Sequence, residues 1–425
     1  MLTLVVRSKR DADALKNMLK NYRGSWDAEV LTLKGARGER ILDELPSMVS
    51  SDRIYLVLLG REEKDIVRDL SKKTPPNVIV HMVPKKRLRN ARLREMSWEL
   101  EVAKSQPRLW FSWEGPQAFL KKRYIRGEPA SDLFLGWGLW WKTLGIGDPS
   151  PKAFLVKKGE GGYHEVYSRG RVAAMFELED DRGPDTTLLG KVEGFDLKRF
   201  AELSKDLVES FVKASASLFE GCERVAVPWS GGKDSTAALL IAKRFCDDVK
   251  AIYVDTGVDM GLNIYYVKEL AERLDVELHV VKAPVKEEIE RRGLPPKEDR
   301  WCTGLKIKAL ENKLKELKVD RVVVGDRDAE SVSRSKRWEV REWEGVGKVI
   351  APLKLWSAAM VQSFLISEGV PINPLYPLGF YRLGCYICPF LRKYEKRLLR
   401  EVRAARMGAD LNLLRRFLEG VDFEL

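Results

Sequence analysis

Histidine and glutamine are nearly missing from this chain, with three of each in 425 residues. So few imidazoles exclude a histidine-rich metal centre. His81 and His164 lie in the first half, and His279 sits in the strand-like run VELHVV, where a core role fits better than ligation. Cysteine is scarce too. Five in a chain of this length exclude a secreted disulfide scaffold. No apolar run reaches the ~18 residues that a membrane span needs. The opening MLTLVVRSKRDADAL has a five-residue apolar stretch and no small-residue cleavage signal, so it does not read as a signal peptide and a cytoplasmic protein is expected. Internal repeats and low-complexity tracts are absent, and so is the Walker pattern, four residues between a glycine and a Gly-Lys pair.

Charge and apolar residues are plentiful. Formal net charge is +12, charged residues make up 32% and apolar residues 44%, enough for burial in two or three domains. Abundant Lys, Arg and Glu beside scarce Gln is a thermophile-like balance. Residues 1–130 hold 27 Lys/Arg against 17 Asp/Glu. Lys85 to Arg94 carries six cations in ten residues, and Lys121, Lys122, Arg123 and Arg126 follow among aromatics. Cations interleaved with rings suit RNA, although a pair of solvated helices on a charge-rich surface fits equally. A further basic segment runs from Arg392 to Arg406.

The pattern divides into three parts. In residues 1–104, LTLVV, EVLTL, IYLVLL and NVIVHMV predict strands between helical stretches with acidic starts, hence a small α/β domain with a parallel sheet. KKRLRNARLREMSWELEVAK predicts a helix at its end. Residues 105–195 are rich in aromatics (Trp110, Phe111, Trp113, Phe119, Tyr124, Phe134, Trp137, Trp140 and Trp141) and predict a mixed or β-rich module with strands at AFLVKKG and RVAAMFELED. Residues 196–425 open on a helix capped by Asp196. Strands RVAVPW, VKAIYVD, VELHVVKAP, DRVVVGD and KVIAPL then alternate with helices at about 234–246, 262–274, 303–318 and 355–369. That is a doubly wound α/β nucleotide-binding domain.

VAVPWSGGKDSTAALLIAKRF leads from a strand, through Ser230-Gly231-Gly232-Lys233-Asp234-Ser235, into a helix. Free N–H groups and the positive end of the helix dipole converge at such a turn. Gly231 and Gly232 let the backbone approach an anion, and Ser230, Ser235 and Lys233 can donate to phosphate oxygens. Asp234 suits either Mg²⁺ or a helix cap. This loop resembles the pyrophosphate loop of the N-type ATP pyrophosphatases and of the phosphoadenosine phosphosulfate (PAPS) reductase family. YVDTG (Tyr253–Gly257), RWCTGLK (Arg300–Lys306), GDRDAESVSR (Gly325–Arg334) and NPLYPLGFYRLGCYICP (Asn373–Pro389) resemble that family in order and spacing, over about residues 220–395. The resemblance implies an adenine-nucleotide site. Asp255, with Gly257, would meet the ribose, the adenine or a metal. Arg327 would reach the phosphates, oriented by Glu330 and Ser331. Arg300 and Lys306 would make the region around Cys302 electropositive, although Lys306, Arg334 and Arg382 fit equally as surface residues.

Cys385-Tyr-Ile-Cys388 has the spacing that brings two thiolates to one metal or cluster. The resemblance places Cys302 over the same site. Cys302, Cys385 and Cys388 are thus candidate ligands of a [4Fe-4S] cluster, or of zinc with a carboxylate as fourth ligand. In the cluster-bearing relatives an adjacent Cys-Cys stands at the earlier position, whereas Cys302 is followed by Thr303. The resemblance implies several reactions. Sulfonucleotide reductases carry a nucleophilic cysteine in a C-terminal tail and a degraded phosphate loop. Here the loop is intact and no cysteine follows Cys388. The expectation is therefore ATP, with Mg²⁺, cleaved to AMP and pyrophosphate, with Lys233, Asp234 and Arg327 as catalytic groups. Such a reaction would adenylate a substrate, RNA among them, for sulfur transfer from a sulfur donor or redox protein. The alternatives are a PAPS or APS reductase releasing sulfite, and a nucleotide-gated RNA-binding protein without turnover.

Overall fold

The computed structural model describes residues 2–20, 28–92, 95, 111–112, 115–116, 132–147, 152–159, 162–168, 171–178, 185–401 and 408–419. Among them no helix is long and apolar enough to cross a membrane.

The first four predicted strands form one parallel sheet. They are β1 (Leu2–Val6), β2 (Glu29–Thr32), β3 (Ile54–Leu59) and β4 (Val78–Met82), in the order β2-β1-β3-β4. β3 is IYLVLL, buried at every position, because helices cover both faces. Leu4, Ile54, Leu56 and Ile79 turn to the side that holds Ala12 and Leu15 of α1 (Lys9–Lys20). Val5, Tyr55, Val57 and Val80 turn to the side of Ile41, from α2 (Arg40–Glu44), and Leu70, from α3 (Lys64–Lys73). A run apolar at every position is what a two-sided sheet demands. After β4 the structure departs from the sequence reading. Of the helix expected from Lys85, the described residues 85–92 carry a 3-10 turn at Leu88–Asn90 and Glu95 is helical, while residues 93–94 and 96–104 lie outside the described residues, as do Lys121–Arg126 and the boundary expected near 105.

The middle module is antiparallel. A short pair, β5 (Phe111–Ser112) and β6 (Gly115–Pro116), precedes the six-stranded sheet. That sheet is built from β7 (Leu133–Gly136), β8 (Lys152–Lys158), β9 (Tyr163–Ser168), β10 (Arg171–Glu177), β11 (Asp185–Leu188) and β12 (Phe195–Asp196). Its aromatics are core. Trp141 meets the Phe154 ring edge-on at 4.7 Å, and the ring of buried His164 stacks on Phe176 at 5.1 Å. Trp110, Trp113, Phe119 and Tyr124 lie outside the described residues.

Asp196 accepts from the Arg199 amide at 2.8 Å, capping α4 (Leu197–Ala214) as the sequence predicts. The third sheet follows in the order β15-β14-β13-β16-β18-β17. Its strands are β13 (Arg224–Pro228), β14 (Asp248–Asp255), β15 (Glu277–Lys282), β16 (Arg321–Val323), β17 (Val340–Trp343) and β18 (Gly347–Ile350), all parallel except β17. Helices α5 (Lys233–Phe245), α6 (Gly261–Arg273), α7 (Val285–Arg292), α8 (Trp301–Leu317) and α9 (Val332–Ser335) lie between them, and α10 (Ala358–Ser367), α11 (Lys393–Glu401) and α12 (Leu411–Glu419) follow. This is an α/β chain with a doubly wound, mainly parallel nucleotide-type sheet. Connections leave β13 toward β14 on one side and β16 on the other, so the switch point lies between β13 and β16, where ligands of such sheets bind.

The middle module meets α10 along β7. Gln362 accepts from the Leu135 amide at 2.8 Å and donates to the Leu135 carbonyl at 3.1 Å, completing the backbone pairing of β7. Burial, reinforced by the Arg392 charge, pushes the His164 imidazole down to about 3. Its folded-state pKa therefore lies below the unfolded value of 6.5, so only the unfolded chain takes up a proton between those limits. Stability falls as pH drops below 6.5, by up to about 1.4 kcal/mol per pH unit for this one group. Replacing the ring by phenylalanine, His164→Phe, is expected to flatten the fall in Tm between pH 7 and pH 5, by roughly 2 kcal/mol of stability. Thermal melts across that range check this, and parallel curves for parent and variant contradict it.

Candidate functional site

The switch point carries the Ser230–Ser235 loop. Buried Trp229 pins its start, donating from Nε1 to Thr236 Oγ1 at 2.9 Å. Gly231 has φ +74°, and a Cβ there would stand 2.5 Å from Asn263 Oδ1. Asn263, on α6, donates to the Ser230 carbonyl at 3.1 Å. Asn373 donates to the Gly231 carbonyl at 3.2 Å and to Asn263 Oδ1 at 2.8 Å. Gly232 then caps α5, and the Lys233 amide donates to Tyr376 Oη at 3.1 Å. The Ser230 and Ser235 hydroxyls face each other at 3.1 Å. A 13-residue helix thus points its amide end into the loop. Gly325 lets the end of β16 close on that helix start, since a Cβ would meet the Asp234 carbonyl carbon at 2.7 Å.

Arg327 differs from the sequence reading. Its side chain is buried, with 1% of the residue exposed, and its guanidinium is spent on the protein itself. Nη1 and Nη2 each reach Asp132 carboxylate oxygens at 3.0 Å, and Nε reaches Asp234 Oδ1 at 2.6 Å. The planar fork that suits phosphate suits carboxylate equally, and Asp132 enters it from just before β7. The other Asp132 oxygen contact is the Ala358 amide at 2.9 Å, the start of α10. Asp234 is engaged on both oxygens, because Lys233 Nζ lies 2.8 Å from Oδ2. Burial opposes its charge, but Arg327 and Lys233 hold the carboxyl down to about 2. Burial would likewise lower the Lys233 ammonium, and the Asp234 carboxylate raises it above the usual lysine range. Glu330 is pushed up by burial and by the Asp234 charge.

These groups line a cavity of about 740 Å³. Of the expected site residues, Ser230, Gly232, Lys233, Asp234, Ser235, Arg300, Arg327, Glu330 and Ser331 line it. Gly231, Asp255, Gly257 and Lys306 do not. Asp255 Oδ1 caps its own turn, accepting from the Gly257 amide at 2.9 Å, and Lys306 Nζ turns to Cys385 Sγ at 2.9 Å. Ser331 caps α9 by accepting from the Arg334 amide. Sequence reasoning missed Asp132, Lys158, Tyr376, Tyr381 and Arg392. Tyr376 and Tyr381 stand within the NPLYPLGFYRLGCYICP stretch that carries the resemblance, so the signal for them was present. Nothing in the sequence pointed to Asp132 or Lys158. At the rim Arg392 lies 4.4 Å over the Tyr381 ring and Arg300 4.8 Å over the Phe390 ring.

The three cysteines share one apolar layer, with Cys385 buried and Cys302 and Cys388 packed at its margin. They do not assemble as ligands. Among the described residues no three His, Cys, Asp or Glu side chains are grouped to hold a metal ion. Cys385 Sγ faces Lys306, with Thr256 Oγ1 at 3.6 Å, while Cys388 Sγ faces Arg382 at 3.8 Å. Burial and the Asp259 charge push the Cys385 thiol up to about 11, so it is protonated near neutral pH. Neither a cluster nor zinc fits this arrangement, and no chemical step is derived through one.

Loop, switch point and cavity give this α/β domain the geometry of a nucleotide-type site. Residues 224–391 match the family described as phosphoadenosine phosphosulfate reductase domain, and it is this segment of the chain that resembles the PAPS reductase family. An uncharacterised protein of Methanocaldococcus jannaschii is 31% identical over 245 residues, 55% of this chain and 60% of that protein. A second uncharacterised protein of that organism is 29% identical over 40% of this chain and 37% of its own length. The chain thus spans less than two thirds of either. The phosphoadenosine 5′-phosphosulfate reductase of Shigella dysenteriae is 24% identical over 36% of this chain and 66% of its own. Among solved structures, the PAPS reductase of Candida auris in its phosphate complex aligns with TM-score 0.34 and 20% identity, covering 44% of this chain and 97% of that one.

Two glycines test the loop geometry. Gly325→Ala forces β16 off the α5 backbone and is expected to cost roughly 1–3 kcal/mol. Gly304→Ala, in α8 where nothing lies within 4 Å of the added methyl, is expected to stabilise by about 0.5–1 kcal/mol. Urea unfolding of both variants checks the pair. Equal effects of one sign contradict the close approach at Gly325.

Proposed function

We propose that the protein is an ATP pyrophosphatase that adenylates a substrate, with RNA as acceptor, for sulfur transfer. The observation that carries this reading is the intact Ser230–Ser235 loop at the switch point of the sheet, opening into the cavity. The β and γ phosphates would lie against the loop amides and the Ser230 and Ser235 hydroxyls, at the amide end of α5. An acceptor oxygen attacks the α-phosphorus. A new O–Pα bond forms, the Pα–O bond to the β-phosphate breaks, and its electron pair leaves on pyrophosphate. Catalysis is then positioning and charge neutralisation. Lys233 is the cation nearest this loop, and Asp234 holds it in place. Mg²⁺ would travel with the phosphates, which supply most of its ligands, since both Asp234 oxygens are engaged.

The rim supports a nucleic-acid acceptor, because Arg300, Arg382 and Arg392 stand beside Phe390 and Tyr381, cations and rings that suit an unstacked base. A sulfur donor would then displace AMP from the adenylated position.

A second reading, reduction of a sulfonucleotide with release of sulfite, draws on relatives named PAPS and APS reductase. The buried Cys385 thiol, protonated near neutral pH, disfavours it as the nucleophile. Product analysis separates the readings. With ATP and acceptor RNA, AMP and pyrophosphate are expected, and Lys233→Ala is expected to lower the rate by roughly a hundredfold or more. ADP as product overturns the proposal. Sulfite from a sulfonucleotide and a thiol donor, with ATP untouched, establishes the second reading. Tight ATP binding without any product leaves a nucleotide-gated binding protein.

A further inference from the structure

The first sheet has a hollow of its own. It lies at the carboxyl ends of β1, β2 and β4 and measures about 460 Å³. Ten residues line it: Arg7, Ser8, Lys9 and Arg10 after β1, Thr32, Lys34, Gly35 and Arg37 from and after β2, and Arg87 and Arg89 after β4. Among the described residues, which these ten are, seven are Lys or Arg and none is acidic or aromatic. The strand order β2-β1-β3-β4 also places a switch point beside β1, where open parallel sheets bind ligands.

The cations are held in place from behind. Arg7 is buried, with Nε 3.1 Å from Glu62 Oε1, 3.9 Å from Glu63 and Nη2 3.8 Å from Asp11. Glu62 also takes Arg87 at 3.2 Å, Asp11 takes Arg89 at 3.3 Å, and Glu44 takes Lys34 at 3.2 Å. Among the described residues, seven lining cations thus outnumber the four carboxylates that face them, and those carboxylates stand outside the lining. Lys9, Arg10, Lys34 and Arg37 are exposed at the mouth. Like charges gathered around one hollow repel one another unless an anion is shared among them. The only other lining groups are small: Ser8, Thr32 and Gly35.

We propose that this hollow binds the phosphates of a nucleic-acid strand. Without a ring to stack on or a carboxylate to accept from a base, it reads the backbone and not the sequence. The inference does not rest on the reaction proposed for the central cavity, because strand binding is measured without ATP.

The test is fluorescence anisotropy of a labelled single-stranded RNA with the full chain, over a range of salt, for parent protein and for Lys9→Glu/Arg10→Glu/Arg37→Glu. A triple variant on exposed α4, Lys198→Glu/Lys205→Glu/Lys213→Glu, alters net charge equally and serves as control. The first triple variant is expected to weaken binding at least roughly tenfold and to flatten the slope of log affinity against log salt by about 2, three contacts at ~0.7 each. The control is expected to change either quantity little, and inorganic tripolyphosphate to compete with RNA in the parent. Circular dichroism checks that both variants fold. Equal losses in the two triple variants, or unchanged RNA binding in the first, overturn the proposal. Tripolyphosphate binding at this hollow with no RNA binding overturns it too, and assigns the hollow to a free polyphosphate.

Discussion

Arg327 is the charge around which the molecule is arranged. One guanidinium, 1% exposed, joins the segment entering the antiparallel module through Asp132 to the nucleotide-type loop through Asp234. Burying a cation is costly unless its donors are matched, and here the two carboxylates and the Trp356 carbonyl match them. Such a contact is unforgiving, since loss of either partner leaves the other charged and dry. The cavity therefore exists only where the two sheets are joined, with Gln362 repeating the join one strand-width away through the backbone of Leu135.

That arrangement sets the electrostatics of the loop. Lys233, Asp234 and Arg327 neutralise one another in a chain of ion pairs, so the residues that look most reactive on paper are largely satisfied before any ligand arrives. What the loop offers an anion is two facing hydroxyls and a helix end, held rigid by Asn263, Asn373 and Tyr376. Fixed dipoles of this kind need little reorganisation when charge develops on a phosphate. Further cations, Arg300, Arg382 and Arg392, sit at the rim, with Arg300 and Arg392 over aromatic rings.

Much of this was legible in the sequence, for identifiable reasons. Runs such as IYLVLL and VKAIYVD have no polar face to spare, and a strand covered on both sides follows directly. The glycine pair before Lys233 announced the turn, and Asp196 its helix. What escaped was long-range. Asp132 lies 195 residues from Arg327, and a single aspartate in an aromatic-rich segment carries no periodicity to betray its partner. Arg327 itself was read as a phosphate ligand because planar recognition looks the same whether the acceptor is a phosphate or a carboxylate. The basic run was read as a helix from Lys85 onward from its composition, yet at its start Arg87 and Arg89 are drawn back to Glu62 and Asp11 and residues 88–90 form a 3-10 turn. The cysteine spacing was real but did not decide what surrounds each sulfur, and Cys385 faces Lys306 while Cys388 faces Arg382.

The claim that Arg327 is an internal anchor is tested most directly by a double-mutant cycle on unfolding free energy, with Asp132→Leu, Arg327→Met and the two combined. Each single change strands a buried charge and is expected to cost about 3–5 kcal/mol, whereas the double variant replaces charge by apolar volume. The account predicts a coupling energy of about 2–3 kcal/mol, with the double variant well short of the summed losses. Losses that add to within about 0.5 kcal/mol would show that the two residues do not depend on each other, and would contradict it.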